Sequence, residues 1–330
     1  MRRAVLLSFA LSTVLICAAV LAGSAAGSRV PAPQSDREII ANLATGRVII
    51  CVARDALIVG AVSEQTEAGA HGPLFVPMNG GHVAVLLGAV EWIVLNSGTK
   101  PVRLDAQWAE AAQHGGHGTY ALEENEAGDI ETPSLAFLET LRAIGSHLHH
   151  PLGLKSNEPL IQVVVAGYEK DYGPEAWLVS YSVDQHELKN DYWDTLIQRP
   201  SYVQLYPPEK GEPRTIMEVR YPPEIKGSTL AQLLGQNDPR LIPVRNADAK
   251  IAQAAQQILD GESNKAAPDP AIAFVRGAMM ATITPDERPA LAVLREGDRF
   301  DWVIPSPETL KPADENRDPN APTLRAPHHQ

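Results

Sequence analysis

The stretch Thr45-Gly46-Arg47-Val48-Ile49-Ile50-Cys51-Val52-Ala53-Arg54-Asp55-Ala56-Leu57-Ile58-Val59 decides the fold. Two apolar, β-branched runs, Val48 to Val52 and Ala56 to Val62, flank the polar pair Arg54-Asp55, which predicts a tight hairpin. A strand with one wet face alternates apolar and polar residues. These runs do not alternate, so both faces of the hairpin are expected to be covered.

Working outward, Pro73 to Met78 and His82 to Leu95 are apolar runs around Asn79-Gly80-Gly81, and Asn-Gly between such runs is a strong hairpin signal. Leu104 to Gln113 reads as a weak helix. Thr132 as N-cap and Pro133 as first helical residue open a second over Pro133 to His149, with Phe137, Leu141, Ile144 and Leu148 on one face. Leu160 to Tyr168 and Ala176 to Val183 form another hairpin, followed by a strand at Thr215 to Tyr221 and a short helix at Ser228 to Leu234. Ala247 to Asp260 is a better helix, with Asn246 as cap and Gly261 at its stop. Ala290 to Leu294 and Arg299 to Ile304 close the unit as a hairpin. Strands grouped in hairpins and helices grouped in pairs predict an α+β protein with two antiparallel sheets and helices layered outside them. Strands apolar on both faces need a second sheet on one side and helices on the other.

The ends read differently. Arg2-Arg3, the apolar stretch Ala4 to Ala22 and the small residues Gly23 to Ala26 form the pattern of a secretory signal peptide over residues 1–26, so the mature protein is expected to be exported, to the periplasm or beyond. Residues 27–44 read as a linker and lead-in, 45–304 as one domain, and the proline-rich 305–330 as a disordered tail. The 330-residue chain carries 28 basic against 40 acidic residues. Its net charge of −12 becomes −14 when Arg2 and Arg3 leave with the signal. With no Lys/Arg-rich run, nucleic acid is excluded as a partner, and the acidity disfavours an anionic membrane surface once the signal is gone. A symmetric homo-oligomer stays open. Only Cys51 survives processing, so no internal disulfide is expected, and its apolar run reads as burial.

The order of elements, together with three stretches, resembles the proteasome β-subunit branch of the N-terminal nucleophile hydrolases. Thr45 to Val59 is similar to that family's opening hairpin. Val163 to Tyr168 with Gly173-Pro174 and Trp177 to Val183 is similar to its central hairpin, and Ala290 to Ile304 around Glu296-Gly297-Asp298 to its closing one. The match spans about Thr45 to Ile304, with Asn190 to Pro213 and Gly261 to Pro289 as departures or insertions. The resemblance implies a four-layer α-β-β-α sandwich. It also implies a nucleophile at the mature N-terminus whose own α-amine takes the proton, supported by a lysine on the third strand and an aspartate after the second.

The residues depart from that set. Aligning the turn puts Gly46 at the nucleophile position, and Thr45, the candidate catalytic residue, fits with a one-residue shift. The aspartate falls at Val62 and the lysine near Pro73, while the first lysine in the chain is Lys100. Arg47 and Arg54 lie in the opening hairpin. The expected function is a binding or assembly module; the alternative is a self-processing hydrolase with Thr45 as nucleophile, and a third is a hydrolase with another site on the same scaffold. No cofactor or metal is expected. His114 and His117 sit in a Gly-rich loop, and His147, His149 and His150 at a helix end, without a Cys or a clearly placed Asp to complete a four-ligand set. The acidic run Glu123 to Glu131 reads as a solvated loop. Ser180 and Ser182 alternate on a strand with no Gly-x-Ser-x-Gly elbow, which argues against a serine triad.

Overall fold

A computed structural model describes residues 39–63, 74–77, 82–94, 102–114, 127–154, 158–169, 173–208, 214–223, 231–232, 246, 248–285, 287–296 and 299–305. The opening hairpin forms as expected from β2 (Gly46–Ala53) and β3 (Ala56–Ser63), in register from Gly46↔Ser63 to Ala53↔Ala56. Asp55 takes the left-handed backbone of the turn at φ 54°, a conformation a short polar side chain tolerates.

The reason for the missing alternation is visible in where each residue points. Val48, Ile50, Val52, Leu57, Val59 and Ala61 enter one core, whereas Ile49, Cys51, Ala53, Ile58 and Val62 enter another. Around this hairpin runs a six-stranded antiparallel sheet. It adds β11 (Ile216–Tyr221), β12 (Ala231–Gln232), β13 (Arg288–Arg295) and β14 (Arg299–Ile304), in the order β12-β11-β2-β3-β13-β14.

The second sheet has eight strands. Its spine is β1 (Ile39–Ala44), β5 (Val83–Val94), β7 (Pro159–Glu169), β8 (Gly173–Lys189) and β10 (Ser201–Tyr206). Two short strands, β4 (Leu74–Pro77) and β6 (Val102–Arg103), add to β5, and β9 (Tyr192–Ile197) pairs with β8. Four α-helices are present among the described residues: α1 (Leu104–His114), α2 (Ala127–Gly145), α3 (Ala249–Leu259) and α4 (Pro268–Met280).

Among the described residues, three cores join these parts. Helices α1 and α2 bury Trp108, Phe137, Leu138 and Leu141 against Leu86, Val163, Val179 and Tyr181 of the eight-stranded sheet. Trp108, Phe137 and Tyr181 meet edge to face at 5.3 and 5.4 Å, a favoured aromatic geometry. Val83, Val85, Leu87, Val164 and Leu178 of that sheet face Val48, Ile50, Val59, Val219 and Ala292 of the six-stranded one. On the far side, Ile258, Phe274, Val275 and Met279 of α3 and α4 cover Ile49, Ile58, Leu291 and Val293. Gly60 lets Met279 approach β3, since a Cβ there would overlap its sulfur. No helix among the described residues is long and apolar enough to cross a membrane.

Several expectations need correction. The lead-in to the first strand is itself a strand, β1. Helix α2 starts at Ala127, not Pro133, so Thr132 is not its cap, Pro133 lies inside it, and part of the Glu123 to Glu131 run is helical. It ends at Gly145 in a tightened turn, where Leu148 donates to the Gly145 carbonyl. Helix α3 is capped by Asp248, not Asn246: the carboxylate accepts from the N–H groups of Lys250 at 2.7 Å and Ile251 at 3.3 Å. Within the expected helix Ser228 to Leu234, Ala231–Gln232 form a strand pairing with Val219 and Glu218, because the outer edge of β11 offers open backbone groups. The two stretches read as departures or insertions relative to the family are themselves structured: Asn190 to Pro213 holds two sheet strands, β9 and β10, and the 261–289 segment supplies α4, which covers the hairpin itself.

Candidate functional site

Thr45 occupies the single residue between β1 and β2, where the chain leaves one sheet for the other. On one side Ala44 pairs with Gly88 of β5; on the other Gly46 lies between Ser63 of β3 and Tyr221 of β11. Thr45 is half-buried. In the continuous chain its nitrogen is a peptide amide, without the basicity of the α-amine that N-terminal nucleophile chemistry uses.

The residues at the supporting positions point elsewhere. Val62 is buried among the residues under α3 and α4. Pro73 lies outside the described residues. Arg54 is 54% exposed at the hairpin tip, the far end of β2 from Thr45, with Asp55 at 4.0 Å. Arg47, opposite Val62 and Arg220, is held on the helix side of the six-stranded sheet. Its Nη2 donates to Thr282 Oγ1 at 2.6 Å, and it approaches Glu218 at 3.8 Å and Glu287 at 4.0 Å. Arg220 donates Nε and Nη2 to the same Glu218 at 3.2 and 3.1 Å, and Glu287 accepts from the Thr284 N–H at 2.6 Å. Glu218 has no solvent exposure, and two guanidinium groups meet its charge. This constellation is a closed ion-pair network: its carboxylates and guanidinium groups are directed at one another, although Arg47 Nε itself makes no hydrogen bond.

The histidines divide. His117 lies outside the described residues. His149 stacks on Tyr192 with ring centroids 4.2 Å apart and is 3.0 Å from its hydroxyl through Nε2. Among the described residues no group of three or more His, Cys, Asp or Glu side chains is placed to hold a metal ion. Cys51 is fully buried, and burial pushes its thiol well above the ordinary range, so the reactive thiolate is suppressed.

A different set of polar residues lies between the sheets. Along β7, Gln162 faces the same side as Val164, which packs toward the six-stranded sheet. Along β8, Ser180 follows Ala176 and Leu178 on that side. The two are direct cross-strand partners, and Gln162 is also opposite Leu87. Neither amide atom of Gln162, nor Ser180 Oγ, nor the Tyr221 hydroxyl has a hydrogen-bond partner among the described residues. Gln162 is 0%, Ser180 4% and Tyr221 3% exposed.

Tyr221 reaches across from β11 and lies against Gly88, where any Cβ would come within 2.9 Å of the ring. Gly88 has φ +95°, at the irregularity where β1 shifts register on β5. Burial and the charge of Glu158 push the Tyr221 phenol up, so it stays a neutral donor and acceptor. Each such orphaned group costs about 1–3 kcal/mol of desolvation.

The residue pattern argues against Ser180 as a triad nucleophile and does not single out Gln162 or Tyr221. One signal was present: Gln162 is the single polar residue in the run Leu160 to Ala166. Tyr221 carries no such mark, because only the meeting of two sheets places it beside Gly88. No known protein-family profile matches the sequence, and no curated protein does.

Proposed function

We propose that the chain is an exported protein with the four-layer α-β-β-α sandwich of the proteasome β-subunit-like N-terminal nucleophile hydrolases. In this reading it works as a binding or assembly module rather than as a threonine protease. The stacking of a helix pair, two sheets and a second helix pair supports the fold, as do the three hairpins at the positions the resemblance uses. The observation that carries the functional reading is the fate of the supporting residues: apolar Val62 stands where a carboxylate is needed, under the helices, and Arg47 is consumed by Glu218 and Thr282. A fold alone fixes no activity, so the site decides.

Sequencing the N-terminus of the protein recovered after export tests the proposal. A chain beginning near Ala25 or Gly27 supports it. A chain beginning at Thr45 overturns it in favour of a self-processing hydrolase with Thr45 as nucleophile.

A further inference from the structure

Several buried side-chain polar atoms lack a hydrogen-bond partner among the described residues, and of these Gln162, Ser180 and Tyr221 share the layer between the two sheets. In the helix-side network each carboxylate meets guanidinium groups or a backbone N–H. In the layer between the sheets the opposite holds: Gln162 and Ser180 stand side by side in register and still do not bond each other. Buried polar groups are almost always satisfied, by protein, water or ligand. Their row also reaches an exposed residue. Ser180 pairs on its other side with Ser201 of β10, the last strand on the spine of the sheet, and Ser201 is exposed. A row of Gln162, Ser180 and Ser201 therefore runs from the buried interior to the sheet's edge; on the inner side Gln162 is followed by Leu87, and Tyr221 lies against the next residue, Gly88.

The chemistry of the row narrows what it takes. A primary amide offers a donor and an acceptor side by side, and the two hydroxyls each donate and accept. None of the three carries a charge, and the charge acting on Tyr221, that of Glu158, is negative. An anion would meet that negative charge, and a buried unpaired charge is far more costly than a neutral dipole. The complement of a carboxamide edge is another carboxamide edge.

We infer that the row Gln162, Ser180 and Tyr221 is a binding site for an uncharged ligand presenting an amide group, entering from the β10 edge. This rests on the reading of the chain as a binding module and names the ligand class; no bond is made or broken and Thr45 takes no part.

The test is a titration of the mature full-length protein with N-acetylglycinamide, followed by NMR on the side-chain amide of Gln162. N-acetylglycine, which replaces the terminal amide by a carboxylate, serves as control. Saturable shifts are expected with the amide, and at least about tenfold weaker binding with the carboxylate. Ser180→Ala and Tyr221→Phe each remove one oxygen and keep the fold, and each is expected to weaken binding by about three- to tenfold. Gln162→Leu is expected to abolish binding. Absence of saturation in the unaltered protein overturns the inference, as does equal affinity for both probes, or affinity unchanged in Ser180→Ala and Tyr221→Phe. The N-terminal sequencing result is independent: a start at Thr45 removes the functional reading without altering the titration, and a failed titration leaves the N-terminus where it is found.

Discussion

The two polar clusters flanking the six-stranded sheet differ in one respect that matters more than their composition. On the helix side, Arg47, Glu218, Arg220 and Glu287 are paired by charge, and Arg47 Nε is the one buried atom of the cluster that lacks a hydrogen bond among the described residues. On the opposite side, Gln162, Ser180 and Tyr221 are as deeply buried and satisfy nothing among the described residues. A buried polar group that is paired belongs to the architecture, and removing one partner strands the rest. A buried polar group left open adds no stability as it stands, so its presence points to something outside the described chain. The charged cluster draws the eye as a site, yet the uncharged one has bonds to give.

That contrast can be broken most sharply at Glu218. Glu218→Ala leaves two guanidinium groups over a buried position and is expected to destabilise the fold by about 3–5 kcal/mol in urea unfolding. A loss no larger than that of a surface substitution would mean that the network is not closed.

Alkaline unfolding comes next. The unfolded chain gives up its thiol proton from about pH 8.5 and its phenol protons from about pH 10. Burial holds the protons of Cys51 and Tyr221 in the folded state. The unfolded state then binds fewer protons, so stability falls as pH rises, by up to about 1.4 kcal/mol per pH unit for each group. Denaturation midpoints measured from about pH 8 to 11 should fall less steeply in Cys51→Ala at the lower end and in Tyr221→Phe at the upper end.

Gln162→Leu works in the other direction. It replaces an unsatisfied amide by a side chain of similar size, and should leave stability unchanged or raise it by up to about 1 kcal/mol. A destabilisation comparable with that of Glu218→Ala would place Gln162 among the paired groups and erase the contrast. The smallest effect is expected at Arg54: its exposed pairing with Asp55 predicts a change within about 0.5 kcal/mol for Arg54→Ala, and thermal melts should show the two proteins nearly superimposed.

Local patterns made the hairpins legible. Arg54-Asp55 between two unbroken apolar runs fixed β2 and β3, and their lack of alternation announced covers on both faces. The elements that escaped are those whose signals are non-local. β9 reads as alternating exposed and half-buried residues, Tyr192 to Leu196, and becomes a strand because β8 runs out past the body to pair with it. Helix α4 has Pro268 at its start and a buried face of Ala271, Phe274, Val275 and Ala278, but an expected insertion hid a signal that periodicity carried. In the candidate site, Gln162 could have been noticed as a polar interruption of an apolar run. Tyr221 could not, since its neighbour Gly88 is distant in sequence and meets it only because one sheet closes on the other.

The crossing at Thr45 has a practical consequence for anyone looking for processing. β1 is held by an antiparallel ladder from Ile39↔Val94 to Ala44↔Gly88, not only by its peptide bond to Thr45. A chain cut between Ala44 and Thr45 would keep the severed piece docked as a strand, and gel filtration would report an intact protein. The nick would show itself only under denaturing conditions, as a short released peptide and a new amino terminus.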